Sequence, residues 1–364
     1  MRFLCSLLIS TPMIAGMSGC AALQPDGPAS GTAPVPPPNG ANLRWIDAAE
    51  LHLEGKGWHE PGRPFTRLPA RAEGSVTDLV WQLSRNTAGL AVRFYTDSPE
   101  IHARWSGGGA MNHMAASGVS GLDLYKRDEG GEWVFAGVGR PDPGPTECLL
   151  ASNPGGGEQE WLLFLPLYQD VSFLEIGLSP GASFRQPESV GKPLVFYGTS
   201  IVQGGCASRT GMAHAAILRR WLDREVVNLG FSGSARMEPV MAELVGEIDA
   251  AVYVLDCLPN MTDELVEENL EPFIRRLREL RPGVPVILVE HLRPDLAASR
   301  NAALRQLYDQ LISEGETGLF YVQGAELLRG REEGTVDGTH PTDLGFLRIA
   351  EALEGPLREA LTGR

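Results

Sequence analysis

Positive charge is scarce in this chain. Its 364 residues carry 31 Lys and Arg against 46 Asp and Glu, a formal charge of −15. Phosphate recognition needs a basic face, so no nucleic-acid partner is expected. Cysteine is sparse too, five in all. No His and Cys stand at metal-ligand spacing and no Gly-rich loop matches a nucleotide-binding pattern, so neither a metal nor a cofactor is expected. Beyond the N-terminus there is no apolar run of about 18 residues, the length of a membrane-crossing helix. What is present is a globular composition, 43% hydrophobic and 21% charged, in a chain long enough for two domains.

The first twenty residues stand apart. Met1-Arg2 is a short positive start, Phe3 to Met17 is mostly apolar, and Ser18-Gly19-Cys20 closes the segment. This is the pattern of a secretory leader, too short for a transmembrane helix. Met17-Ser18-Gly19-Cys20 resembles a bacterial lipobox. That resemblance implies that Cys20 becomes the lipidated first residue of an exported cell-envelope protein, with the membrane reached through that anchor. Several acyl chains hold where one does not. Residues 21–41 are rich in Pro, Gly, Ala and Ser and lack periodicity, as expected of an extended tether. Setting aside Cys5 and Cys20, three cysteines remain. Cys206 and Cys257 both lie near the motifs below and are the candidate disulfide pair, with two buried thiols as the alternative.

From 42 to 186 the texture is one of short strand-like runs between turn residues. Val76–Leu83 and Leu90–Tyr95 alternate in part, Ile101–Trp105 alternates cleanly, and Trp161–Leu167 and Val171–Gly177 are further candidates. Regular short strands predict a β-sandwich or jelly roll. Trp81, Trp105 and Trp133 are read as its core. From 190 to 364 the texture changes to alternating strands and helices. Leu194–Tyr197, Glu225–Gly230, Ala250–Asp256, Pro285–Glu290 and Gly318–Val322 are short apolar strands. Leu265, Asn269, Phe273, Leu277 and Leu280 recur at helical steps, and a last helix covers Thr342–Thr362 with Leu344, Leu347, Leu353, Leu357 and Leu361. Strand-helix alternation predicts a doubly wound, flavodoxin-like parallel sheet.

The chemistry-bearing residues follow the ends of these strands. Gly198-Thr199-Ser200 breaks a buried strand just where open α/β sheets place their ligands. A serine there is a candidate nucleophile, although many such serines only cap helices. It needs a base, and the base an orienting acid. Asp337-Gly338-Thr339-His340, before the last helix, offers both on one loop. His291 is a rival base, while His214 is read as structural and Asp256 as an ordinary strand-end carboxylate. Gly230, ending the second strand, and Asn260, after the third, would join the Ser200 N–H as oxyanion donors. Arg209, Asn112 and His113 are candidate substrate contacts.

Together these blocks resemble the SGNH (GDSL-type) hydrolases from Lys192 to the C-terminus. The resemblance implies Ser200 as nucleophile, Gly230 and Asn260 as oxyanion donors, and His340 as base oriented by Asp337. Thr199 stands where the family motif has Asp, and Leu258-Pro259-Asn260 replaces Gly-x-Asn. Both variants look like a subgroup with a β domain ahead of the hydrolase and a GxDLY motif, present here as Gly121-Leu122-Asp123-Leu124-Tyr125. Met111-Asn112-His113-Met114 and Leu165-Pro166-Leu167-Tyr168 are similar to that subgroup as well. The function implied is a serine esterase acting on short acyl, chiefly acetyl, esters of an acylated glycan. A lipid or aryl esterase, a thioesterase, and a non-catalytic glycan-binding lipoprotein are the alternatives.

Overall fold

In the computed structural model, which describes residues 42–188, 191–329 and 332–363, the first half of the chain builds two antiparallel sheets. Their strands are β1 (Arg44–Asp47), β2 (Ala91–Thr96), β3 (Glu100–Trp105), β4 (Leu122–Arg127), β5 (Trp133–Gly139), β6 (Thr146–Ser152), β7 (Gln159–Phe164) and β8 (Leu174–Leu178). The orders are β1-β8-β3-β6 and β2-β7-β4-β5. Alternation drives the pairing of the two layers. Ile101, Ala103 and Trp105 of β3 are buried while His102 and Arg104 are half-buried, so one face turns to the other sheet. Phe94, Trp105, Leu124, Trp161 and Ile176 fill the space between them. The expected leader, the tether and Cys20 lie outside the described residues.

The segment 76–83 is not the strand its partial alternation suggested. It forms α1 (Asp78–Leu83), capped by Thr77, whose Oγ1 accepts from the Val80 N–H at 3.3 Å. Val76, Val80 and Leu83 recur at four and three residues, the helical period. They pack with Leu229, Phe231 and Val245 of the second half rather than inside the sandwich. A one-turn helix, α2 (Ala116–Val119), precedes β4.

The second half alternates as expected: β9 (Leu194–Gly198), α3 (Ser200–Gln203), α4 (His214–Trp221), β10 (Val226–Gly230), α5 (Pro239–Glu247), β11 (Val252–Asp256), α6 (Asp263–Leu280), β12 (Val286–Val289), α7 (Ala298–Ser313), β13 (Leu319–Val322), α8 (Gly324–Leu327) and α9 (Asp343–Thr362). The five strands are parallel, in the order β10-β9-β11-β12-β13. β9 and β11 are buried at every position because helices cover both faces. Val195 and Tyr197 pack with α5 and α6, and Phe196 packs with α4 and α9. The stripe that α6 buries is Val266, Leu270, Phe273, Ile274 and Leu277, turned from the predicted Leu265 and Asn269. In α9 the buried face is Phe346, Ile349, Leu353 and Leu357, while Leu344 is exposed. Strand order reverses between β9 and β11. At their carboxyl ends, such sheets open the crevice that binds ligands.

Candidate active site

Gly198 ends β9, and Thr199 turns the chain into α3. The Thr199 N–H donates to the Asp256 carbonyl of β11 at 3.2 Å, and its Oγ1 accepts from the Ile201 N–H at 3.2 Å. The residue that departs from the family motif therefore caps the helix. Ser200 opens α3 and is 8% exposed. Its N–H is one of the first-turn donors that a helix leaves unused.

The loop before α9 folds on itself around Asp337. Oδ1 accepts from the N–H groups of Thr339 (3.0 Å) and His340 (2.8 Å), and Oδ2 accepts from His340 Nδ1 at 2.7 Å. On the other side of the ring, His340 Nε2 lies 3.0 Å from Ser200 Oγ. A carboxylate can only accept, so the ring proton belongs on Nδ1 and the Nε2 lone pair faces the hydroxyl. Partial burial works against ionisation of Asp337. The bonds from the His340 N–H and ring, and from Thr339, outweigh it and hold the carboxyl below its ordinary range. Arg293 braces this loop from the end of β12, with Nη1 donating to the Gly338 carbonyl at 2.7 Å.

Gly230 does not fill the role expected of it. Its N–H donates to Asn228 Oδ1 at 2.9 Å, and a Cβ there would sit 2.1 Å from the Gln203 backbone nitrogen. Its lack of a side chain lets α3 pack on β10. Along the following loop, Phe231 N–H donates to Gly198 O, Ser232 N–H to Gln203 Oε1, and the Ser234 and Ala235 N–H groups to Phe231 O. Gly233 is the position left over. Its φ is +67° and nothing crowds it, and its N–H has no acceptor among the described residues. Asn260, on the turn after β11, donates one amide N–H to Phe231 O at 3.3 Å, which leaves its second N–H available.

The chain matches two family models: the GDSL-like lipase/acylhydrolase family over residues 191–358 and the N-terminus of SGNH-hydrolase-type esterases, the GxDLY region, over residues 43–184. Among solved structures, a GDSL-like lipase from Bacteroides ovatus ATCC 8483 is 35% identical, with a TM-score of 0.82 over 88% of this chain and 98% of that one. The chain belongs to the GDSL-like (SGNH) lipase and acylhydrolase family. Two more distant structures share the fold. A salicylyl-acyltransferase from a tetracycline biosynthetic pathway is 18% identical (TM-score 0.72, 87% and 97% covered). A family two carbohydrate esterase from Cellvibrio japonicus is 13% identical (TM-score 0.58, 88% and 98% covered). No curated protein matched the chain.

In this SGNH-type esterase the GxDLY residues face inward. Asp123 is fully buried, and its Oδ2 accepts from Arg209 Nη1 (2.6 Å) and the Gly211 N–H (2.7 Å). Tyr125 Oη also accepts from Arg209 Nη1 at 2.6 Å, and the guanidinium lies 4.3 Å from the Phe135 ring centre. Arg209, a candidate substrate contact from sequence, is held by Asp123 and Tyr125. A buried carboxylate needs a paired cation, and Arg209 fastens the loop after α3 to β4. Asn112 and His113 do reach the site. Asn112 Oδ1 lies 2.7 Å from His113 Nδ1, and the His113 ring centre is 6.3 Å from that of His340.

The remaining titratable candidates lie elsewhere. His291 Nδ1 accepts from the Arg293 N–H at 2.9 Å, and burial with neighbouring arginines lowers its pKa to about 4, so it serves its own loop. His214 is sealed between Phe196 and Phe346, where burial lowers its pKa to about 3. Cys206 and Cys257 are not joined in a disulfide. The Cys257 thiol instead reaches the Tyr197 carbonyl across the sheet at 3.6 Å. Trp105 lies in the sandwich core as expected, whereas Trp133 is buried in a separate cluster with Tyr125, Phe164 and Ala216 of α4, and Trp81 is only half-buried. Sequence reasoning missed Gly233, Arg293 and Tyr168, whose hydroxyl donates to the Ser200 carbonyl at 3.4 Å. For Gly233 a signal was present: the second glycine of Asn-Leu-Gly-Phe-Ser-Gly, where a turn needs positive φ.

Proposed function

We propose that this esterase cleaves short acyl groups, acetyl foremost, from a carbohydrate. In this reading His340 takes the Ser200 proton as Oγ attacks the ester carbonyl. The tetrahedral oxyanion rests on the N–H groups of Ser200 and Gly233 and on the free Asn260 N–H. The same imidazole returns the proton to the sugar oxygen as its bond to the acyl carbon breaks, so the sugar leaves as a free hydroxyl, and water then clears the acyl-enzyme. The observation that carries the reading is the chain of contacts from Asp337 Oδ2 through the His340 ring to Ser200 Oγ, at 2.7 and 3.0 Å. Support for the leaving group comes from Asn112 and His113. An amide and an imidazole beside the base suit a polar alcohol more than a lipid tail. The shared fold with a carbohydrate esterase points the same way.

The leader pattern extends the reading to an exported, envelope-anchored enzyme lipidated at Cys20. Labelling with a fatty-acid analogue, lost in Cys20→Ala, tests that part. Acetate release from acetylated xylan, mannan, pectin and peptidoglycan fragments tests the activity, with Ser200→Ala as control. Release from one or more of them by wild type alone is expected. A preference for long-chain over acetyl nitrophenyl esters would instead favour a lipid esterase, and turnover by Ser200→Ala would end the reading.

A further inference from the structure

We infer that Arg67, far in sequence from the proposed triad, is a positioning residue for the oxyanion loop, tying the end of β10 to the first half of the chain. The inference rests on the reading above, in which Ser200 and the loop Gly230–Gly233 meet the oxyanion.

β10 is the edge strand of the parallel sheet, so carbonyls on its outer side have no strand to pair with. Arg67 supplies the donors. Nη1 donates to the carbonyls of Asn228 (3.0 Å) and Gly230 (2.8 Å), Nε to that of Asn86 (2.7 Å) and Nη2 to that of Leu83 (2.7 Å). The side chain lies 4.8 Å over the Phe231 ring and the residue is 2% exposed. All four acceptors are backbone carbonyls, and no carboxylate among the described residues pairs with the guanidinium.

Burying a cation without an anion is costly. Burial pushes this guanidinium down to about 9, which still leaves it charged at neutral pH. The return is geometric, because a planar fork holds several carbonyls in one fixed arrangement, which an ammonium cannot do. Asn86 carries the brace further. Its Oδ1 accepts from Gln203 Nε2 (3.2 Å), and Gln203 Oε1 accepts from the Ser232 N–H (3.0 Å). An unbroken run of bonds thus leads from Leu83 through Arg67, Asn86 and Gln203 to the residue before Gly233. Gln203 also closes α3, the helix that Ser200 opens. The uncompensated positive charge thus stands behind the loop on which negative charge would develop, where fixed electrostatics act on the transition state.

The test compares Arg67→Met, Arg67→Lys and Arg67→Ala with wild type in the full chain, on nitrophenyl acetate, with melting temperatures measured alongside. Arg67→Met should lose about 10- to 100-fold in kcat, somewhat less than a directly removed oxyanion donor. Its KM should stay within about threefold. Phenylboronic acid, whose tetrahedral serine adduct mimics the intermediate, should lose affinity in parallel with kcat. Arg67→Lys should fall between Met and wild type, and added guanidinium should restore part of the activity of Arg67→Ala. A folded Met variant with wild-type kcat and boronate affinity, however low its melting temperature, would overturn the inference. Should the Met variant not fold, Arg67→Lys decides, and wild-type kcat there overturns it equally. Turnover by Ser200→Ala would mark a failure of the underlying reading instead.

Discussion

Replacing Asp337 by Asn changes one atom and should cost the enzyme most of its turnover. Asp337 accepts three hydrogen bonds, two from backbone N–H groups and one from His340 Nδ1. An asparagine can keep its oxygen on the two backbone donors, but then its NH2 faces Nδ1. The ring must answer by accepting there, which moves its proton to Nε2. That nitrogen is 3.0 Å from Ser200 Oγ and can no longer take the hydroxyl proton. In a buried protease triad the wrong tautomer costs about 10⁴ in kcat. The Asp337 side chain is 44% exposed, so water competes and the penalty shrinks to roughly 10²–10⁴, about 3 to 5 kcal/mol. Steady-state kinetics on nitrophenyl acetate should show the loss in kcat with KM little changed. Asp337→Ala, which leaves Nδ1 to water, should keep more activity than Asp337→Asn. A turnover of Asp337→Asn within about tenfold of wild type, or above that of the alanine variant, would refute tautomer control.

Arg209→Ala leaves the Asp123 carboxylate buried with one backbone donor, and urea unfolding should show a loss of about 3 kcal/mol, discounted for the partly exposed arginine, while KM for a small ester stays put. Loss of glycan affinity without loss of stability would return Arg209 to substrate binding. Burial raises the Asp256 carboxyl to about 7 from an ordinary 3.8, so between those values the folded chain holds a proton that the unfolded chain gives up. Its contribution is complete at low pH and fades as pH rises towards about 7. Asp256→Asn should therefore flatten the stability–pH curve over that window, and an unchanged slope counts against the burial argument. Thiol titration of the denatured chain from Asn42 onward should find the three cysteines Cys148, Cys206 and Cys257 without reductant, whereas one reactive thiol would mean that Cys206 and Cys257 pair.

The places where sequence reading succeeded and failed have physical causes. Leu194–Gly198 was legible because a strand covered on both faces must be apolar throughout, and Ser200 because chemistry in such sheets collects at strand ends. Asp337 and His340 were legible because their partnership is local, closed within one loop. Segment 76–83 was misread because eight residues with three spaced apolar anchors fit either period, and only packing against Leu229 and Phe231 chose the helix. Gly233 was hinted at as the turn glycine of its block, but the preference for it over Gly230, the last residue of β10, hangs on which N–H is already spent on Asn228.

Amino-acid order alone determined the parallel sheet, the sandwich ahead of it and the types of group at the strand ends, since periodicity and turn chemistry are written locally. Only the folded chain decided what each group is for. Arg209 became a clasp because Asp123, 86 positions away, is buried and needs a cation. Arg67 became a brace because the edge carbonyls of Asn228 and Gly230 in β10, more than 160 positions on, have no other donor among the described residues. Such pairings depend on where water is excluded and which polar groups are left to satisfy, and neither is settled until distant segments have met.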